Sequence, residues 1–267
     1  LLIGLETEAD YQNIPLLHGG WSTRQFAALL PRSLVFVFCA LLGLTLAFRK
    51  DRFRWIGMGI SVAGFLLLIN HHPFQSSRFD PYHGDQGIAP YQDAIAYTVA
   101  RGGLVFWTHP ESTFSRDGQK IGPITLQTRP YLDDLVRSKG YTGFSAVYGE
   151  KTTACEPGGR WDELLKHFCR GEREHSVWAI AGSDFHQETD WLKLDTLQTV
   201  FLVSAKTQSA VLEALAVGRN YAVLKTGPSD LVLSHFSVVD PISGKSATLG
   251  ETLLAAGDHA IEGRIEA

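Results

Sequence analysis

Charge of one sign is what this chain most plainly lacks. Its 267 residues carry 24 Lys and Arg against 28 Asp and Glu, a net charge of −4. With that balance spread along the whole chain, no polyanion is implied as a partner, and nucleic acid is excluded from the expected ligands. Cysteine is scarce too, with three in all. Cys39 lies in an apolar run and reads as a small hydrophobe. Cys155 and Cys169 flank one expected helix, and both a disulfide in an exported domain and two free thiols fit them. An initiator methionine is absent at Leu1, and the chain closes inside IEGRIEA, which reads as a strand. The expectation is a piece of a longer protein, with residues wanted for a site lying outside it. The length suits one large domain or two smaller ones.

Long apolar runs are what the first quarter does contain. Phe26 to Phe48 is nearly all apolar, broken only by Pro31, Arg32 and Ser33. A bilayer of roughly 30 Å, crossed at about 1.5 Å per residue, needs that whole stretch. RKDRFR follows, and then WIGMGISVAGFLLLI, residues 55 to 69. Two apolar runs with a short basic connector predict a transmembrane helical hairpin. Arg49, Lys50, Arg52 and Arg54 would hold the connector in the cytoplasm and place both flanks on the other side. The competing reading is a pair of buried helices in a soluble core. A cleavable signal peptide is excluded, because the runs are paired and internal.

Beyond Asn70 the texture becomes that of a soluble domain. HHPFQSSRFDPYHGDQGIAP reads as loop. PYQDAIAYTVARGG predicts a helix with Ile95, Ala96 and Val99 inward and Gly102 as its stop. LVFWT, residues 104 to 108, predicts a short buried strand that ends at His109, Pro110 and Glu111, since proline cannot donate to a ladder. The alternation continues through a helix at RPYLDDLVRSKG, a strand at FSAVY and a helix at GRWDELLKHFCRG, whose Trp161, Leu164, Leu165 and Phe168 form one stripe. The strand VWAIAG then leads to Ser183, Asp184, Phe185 and His186. QTVFLVSA is another strand, and TQSAVLEALAVGRN a helix with Val211, Leu212 and Leu215 inward and Gly218 as its stop. This order predicts a parallel α/β architecture. The expected organisation is an extracytoplasmic segment or upstream remnant over 1–25 and a transmembrane hairpin over 26–69. An α/β domain over 70–230 and a small C-terminal β module over 231–267 follow.

Parallel α/β folds gather chemistry at the C-terminal ends of their strands. Here those ends carry His109 with Glu111, and Asp184 with His186. Residues two apart on an extended segment point to one side, so Asp184 and His186 converge if strand geometry continues past Gly182. Gly182 leaves room for a close backbone approach. A carboxylate oxygen and an imidazole nitrogen together suit Zn, Mn or Fe better than Mg or Ca. His72 and His83, in the polar loop, are further candidate ligands, with at most one of His71 and His72 facing a given ion. His167 and His175 read as solvated, and His18, His235 and His259 form no pattern.

Three stretches in order, GGLVFWTHPE, VWAIAGSDFH and QTVFLVSAKTQSAVLEALAVGRNYAV, together with the WDELL helix, resemble the PHP superfamily, named for polymerase and histidinol phosphatase domains. The resemblance covers roughly residues 75 to 267. It implies a distorted (β/α) barrel with up to three divalent metal ions at the strand ends and a small β-sandwich-like module behind it. His109 matches the family's His-Pro motif, and Asp184 and His186 its final Asp-x-His pair. The activity implied is hydrolysis, above all of phosphate esters, by a metal-activated water. The substrate would be a small phosphorylated molecule, with Arg78 and Arg219 as candidate phosphate contacts. The chain departs from the pattern in having no His-x-His strand. Glu6, in LLIGLETE, could then be the bridging carboxylate of a strand whose earlier part lies upstream. In FSAVY, Ala146 and Gly149 stand where the family often has a carboxylate and an Asn, with Glu150 beside them. The alternative implied is a degenerate PHP-like domain that binds a ligand or partner without catalysis. In either case the domain would be held at a membrane, on its extracytoplasmic side.

Overall fold

The computed structural model describes residues 1–15, 21–79, 85–111, 119–122, 124–126, 130–148, 152–189, 192–227, 232–255 and 260–266. It contains two compact units, one formed by Leu5–Gly102 and one by Leu1–Gly4 with Gly103–Ala267.

The first unit is helical: α1 (Glu8–Gln12), α2 (Phe26–Ala47), α3 (Phe53–Asn70) and α4 (Ala89–Val99). Helices α2 and α3 are long and apolar enough to cross a membrane, with window hydropathies of 2.1 and 1.5. Only 11% of each window is buried within this chain, unlike a helix at the centre of a soluble core. Leu34, Phe38, Leu41, Phe65 and Leu66 all face outward, while the buried positions are Ser33, Gly43, Gly57 and Gly64. That distribution is inverted relative to a soluble core. Small residues let the two backbones touch. A Cβ on Gly43 would lie 2.3 Å from the Ser61 amide nitrogen, one on Gly57 2.5 Å from that of Ala47, and one on Gly64 2.7 Å from that of Ala40. Helix α4 buries Ile95, Tyr97 and Thr98, whereas Ala96 and Val99 of the expected stripe are exposed. Tyr97 wins the inward place because its hydroxyl donates to the Asp10 carbonyl at 3.0 Å and its ring lies 3.8 Å from the Arg101 guanidinium carbon. Gly102, at φ +74°, stops the chain as expected.

The second unit is mixed α/β. Its elements are β1 (Leu2–Ile3), β2 (Leu104–Trp107), β3 (Gln119–Ile121), β4 (Ile124–Leu126), α5 (Leu132–Arg137), β5 (Gly143–Val147), α6 (Arg160–Cys169) and β6 (Trp178–Ala181). They continue with β7 (Leu197–Phe201), α7 (Gln208–Val217), β8 (Asn220–Leu224), β9 (His235–Val239), β10 (Ser246–Ala247) and β11 (Glu262–Glu266). One sheet has the order β1-β2-β5-β6, with β2, β5 and β6 parallel and β1 antiparallel at the edge. Its core is Phe106 and Ile180 against Leu215 of α7, with Ile3, Leu104, Phe201 and Val211 packed around them.

The parallel heart of this unit agrees with the sequence expectation, but among the described residues the strands do not close into a barrel. β7 and β8 form their own antiparallel pair. The chain leaves at Phe201 and returns opposite it at Asn220, with Leu202 N–H donating to the Arg219 carbonyl at 2.9 Å. Gly218, left-handed at φ +76°, ends α7 and turns the chain back. Side chains rather than a ladder then join β6 to this pair. Thr199 Oγ1 accepts from Ala181 N–H at 3.0 Å, and Asn220 Nδ2 donates to the Ala179 carbonyl at 2.8 Å. The last strands belong to the C-terminal β module. Among the described residues it is one antiparallel sheet of order β10-β9-β11. All five residues of β11 are exposed. Cys155 and Cys169 are both free thiols.

Candidate functional site

Two residues among those described adopt a left-handed backbone without being glycine: His109, at φ 50°, and Asp184, at φ 47°. Such a conformation costs a non-glycine residue roughly 1–2 kcal/mol, so the surroundings must impose it. The two residues follow the ends of strands β2 and β6, and they face each other. His109 Nε2 lies 4.0 Å from Asp184 Oδ2. His186 joins from the other side, with Nδ1 4.0 Å from Asp184 Oδ1. Strand geometry does not continue past Gly182, as the sequence argument required. β6 ends at Ala181, and the left-handed turn at Asp184 achieves the convergence instead.

Each of these turns is held by its neighbours. Around His109, Tyr131 N–H donates to the Pro110 carbonyl at 2.9 Å and the Tyr131 hydroxyl donates to the Thr108 carbonyl. The Tyr148 ring stands edge-on to the His109 imidazole at 5.1 Å between centroids. Ahead of Asp184, Ala181 is fastened at both backbone atoms, because Thr199 Oγ1 also donates to its carbonyl at 3.2 Å. Gly182 N–H donates to the Val147 carbonyl at 3.0 Å. Gly182 does permit a close approach: a Cβ there would lie 2.7 Å from Ser145 Oγ.

The neutral tautomer of His186 follows from its partner. Its Nδ1 meets the Asp184 backbone carbonyl. A carbonyl only accepts, so Nδ1 is the donor, and the neutral ring has its lone pair on Nε2. The site is open to solvent, with the Asp184 side chain 67% exposed and that of His186 79%, while His109 is more enclosed at 24%.

Glu111, read from the sequence as a metal ligand beside His109, is occupied otherwise. Its buried carboxylate accepts from Thr153 N–H at 2.9 and 2.8 Å, from Ala154 N–H at 2.9 Å and from the Thr153 hydroxyl. Three donors make four contacts that engage both oxygens, so the carboxylate organises the 152–154 loop. Its own N–H donates to the Tyr148 hydroxyl at 3.0 Å, which links that loop to the ring beside His109. Glu111's charge and, more strongly, burial push the nearby Cys155 thiol up to about 11. His72 belongs to the other unit, where its ring stacks on Trp21 at 4.8 Å. There His71 is the C-cap of α3 rather than a strand residue. Glu6 and Arg78 also lie in that unit, and the Arg78 guanidinium carbon is 4.9 Å from the Phe79 ring centre. Arg219 is committed to Glu213 at 2.6 Å. His83, Gly149 and Glu150 lie outside the described residues. Sequence reasoning missed Tyr131, Tyr148, Ser145 and Thr199. The available signal was hydroxyl side chains at the ends of, or inside, otherwise apolar strands.

Could His109, Asp184 and His186 hold a divalent ion? Their donor set, two imidazoles and a carboxylate, is of the right chemistry. Two ligand atoms each about 2.1 Å from a tetrahedral ion are about 3.4 Å apart, so His109 Nε2 and Asp184 Oδ2, now 4.0 Å apart, would close by about 0.6 Å, and His186 would have to bring its Nε2 to the ion. Among the described residues no three His, Cys, Asp or Glu side chains already form a metal-holding group. The donor set is of the chemistry a divalent ion takes, and the three side chains would have to move together to hold one. No family model, no curated protein and no solved structure matches the chain.

Proposed function

We propose that the chain is a membrane-anchored, metal-dependent hydrolase of the PHP type, acting on phosphate esters. The observation that carries this reading is the pair of left-handed residues, His109 and Asp184, facing each other across the ends of β2 and β6. Imposed backbone strain of this kind collects at ligand clamps and active sites. His109, Asp184 and His186 would hold Zn, Mn or Fe. A divalent ion there supplies Lewis acidity to a phosphoryl oxygen and brings the ionisation of water into the neutral range. The chain's own groups do the positioning. Tyr148 packs edge-on against the His109 ring, Tyr131 holds the backbone on either side of it, and Thr199 fixes the backbone that presents Asp184. The left-handed turn aims the Asp184 carboxylate between two imidazoles, and His186 Nε2 offers a lone pair. The exposed apolar faces of α2 and α3 support a bilayer anchor. The Arg49, Lys50, Arg52 and Arg54 connector favours the cytoplasm, which puts the catalytic unit on the other side.

A second reading, a degenerate PHP-like domain that binds without catalysis, is favoured by the exposure of Asp184 and His186 and by the lack of a ready three-ligand group among the described residues. Metal content by mass spectrometry on the purified full chain, beside Asp184→Ala, separates the two. The hydrolase reading expects about one or more equivalents of Zn, Mn or Fe, lost in the variant together with hydrolysis of p-nitrophenyl phosphate. A metal-free chain that Asp184→Ala leaves unchanged in content and activity would refute it.

A further inference from the structure

The apolar band of the hairpin has sharp borders. On α2 the exposed large apolar side chains begin at Leu34 and end at Phe48. Arg32 and Arg49, both exposed, stand at its two ends. Between Phe26 and Arg32 the exposed positions are Ala27, Ala28, Pro31 and Arg32 itself, small or charged, while Phe26, Leu29 and Leu30 are half-buried. On α3 the band runs from Trp55 to Ile69, inside Arg54 and Asn70. Phe53 sits among the cations of the connector, its ring centre 5.5 and 5.4 Å from the Arg49 and Arg52 guanidinium carbons. The two bands are equal in length, about 21 Å each at about 1.5 Å per residue. A typical hydrocarbon core is about 30 Å thick, and tilting would only shorten the projected span.

The first turns of α2 do not lengthen the band, because of what packs beside them. Ser33 Oγ donates to the His71 carbonyl at 2.8 Å, so Ser33 is level with the point where α3 has just ended. From there the chain beside α2 is no longer helical. The Phe74 ring packs on that of Phe26 at 5.4 Å between centroids, the Phe74 carbonyl accepts from Ser22 N–H at 2.9 Å, and Gln75 bridges to Trp21. Protein does not enclose this segment, since Phe74 is 39% exposed and Trp21 73%. Non-helical backbone facing lipid does not occur within the hydrocarbon region. If all of Phe26 to Phe48 lay in that region, this segment would be drawn into it. A tryptophan placed as Trp21 is suits headgroup depth instead.

We propose that the hairpin is built for a thin membrane, one with a hydrocarbon core of about 21 Å, and that it thins an ordinary bilayer around itself. Its partner is a lipid bilayer of defined thickness. The inference rests on the bilayer-anchor reading of α2 and α3 and is independent of the chemistry at His109.

The test is deuterium NMR of the full chain in two chain-deuterated phosphatidylcholines, palmitoyl-oleoyl, which is of ordinary thickness, and dilauroyl, which is thin. The expected result is that the protein lowers chain order in the first and leaves the second unchanged. Unchanged order in the first with raised order in the second would report a span of ordinary length and overturn the match, and so would an equal fall in both lipids. Thiol labelling separates these outcomes from failure of the anchor. In palmitoyl-oleoyl nanodiscs, which expose both faces, a water-soluble maleimide read by peptide mass spectrometry should label Ala28→Cys and leave Val35→Cys unlabelled. Protection of both positions would place all of α2 in the hydrocarbon and overturn the inference while keeping the anchor. Labelling of both would overturn the anchor itself, and the inference with it.

Discussion

The contact beneath Asp184 can be tested by a double-mutant cycle between Gly182 and Ser145. A Cβ on Gly182 would meet Ser145 Oγ at 2.7 Å, whereas the next atom, Ser145 Cβ, is an ordinary 3.5 Å away. Gly182→Ala therefore overpacks against a single oxygen, at a cost of about 2 kcal/mol. Ser145 Oγ is itself buried without a partner among the described residues. Ser145→Ala removes that unsatisfied hydroxyl and gains about 1 kcal/mol. In the double variant the clash is gone as well, so stability returns to at least the wild-type level. The coupling is about 2 kcal/mol, well beyond the few tenths expected of independent sites. For a unit of this size each kcal/mol moves Tm by about 2–4 °C. Differential scanning calorimetry of the full chain in nanodiscs should show Gly182→Ala melting about 4–8 °C lower and the double variant at or above wild type. If Gly182→Ala does equal damage with and without the Ser145 hydroxyl, the contact does not set the position of this turn.

Two further outcomes follow from other parts of the molecule. Gly57→Leu has no space between α2 and α3, since even a Cβ would lie 2.5 Å from the Ala47 nitrogen. Spin labels on exposed Leu41 and Val62 should report a helix separation that moves out toward the ordinary 8–10 Å, about the spacing of side-chain-packed helices. An unchanged distance would refute the backbone contact. At pH 8, iodoacetamide should label exposed Cys169 well before Cys155, whose thiol burial and the Glu111 charge raise to about 11. The sign is that of an acid kept protonated, so Cys155 labelling climbs about tenfold per pH unit toward that value. Glu111→Gln removes one of the two causes and should speed it. Equal labelling of the two thiols at pH 8 would contradict this.

How far the candidate site was legible can be judged from its members. His109, Asp184 and His186 could be named because an apolar run that stops at a polar residue marks a strand end, and strand ends are where such folds place chemistry. Glu111 was misread for the same reason. It stands two residues beyond His109, but its oxygens are claimed by the amides of Thr153 and Ala154, 42 and 43 positions away. No local pattern records which distant amide will capture a carboxylate. Tyr148 and Thr199 were missed because a hydroxyl in a strand looks alike whether it fastens a neighbour or faces water.

What the sequence determined by itself are the properties that the local chain carries. These are the two apolar helices, set by runs of side chains, and the alternation of helices with short buried strands, set by periodicity. The stops at Gly102 and Gly218 belong here too, set by a backbone that other residues rarely adopt. The tertiary structure alone decided the antiparallel return of β8, the pairing of β9 with both β10 and β11, and the approach of three strand-end residues through two left-handed turns. Those depend on pairings between residues far apart in the chain. Periodicity says that a side chain is buried or exposed, but not which partner completes its hydrogen bonds.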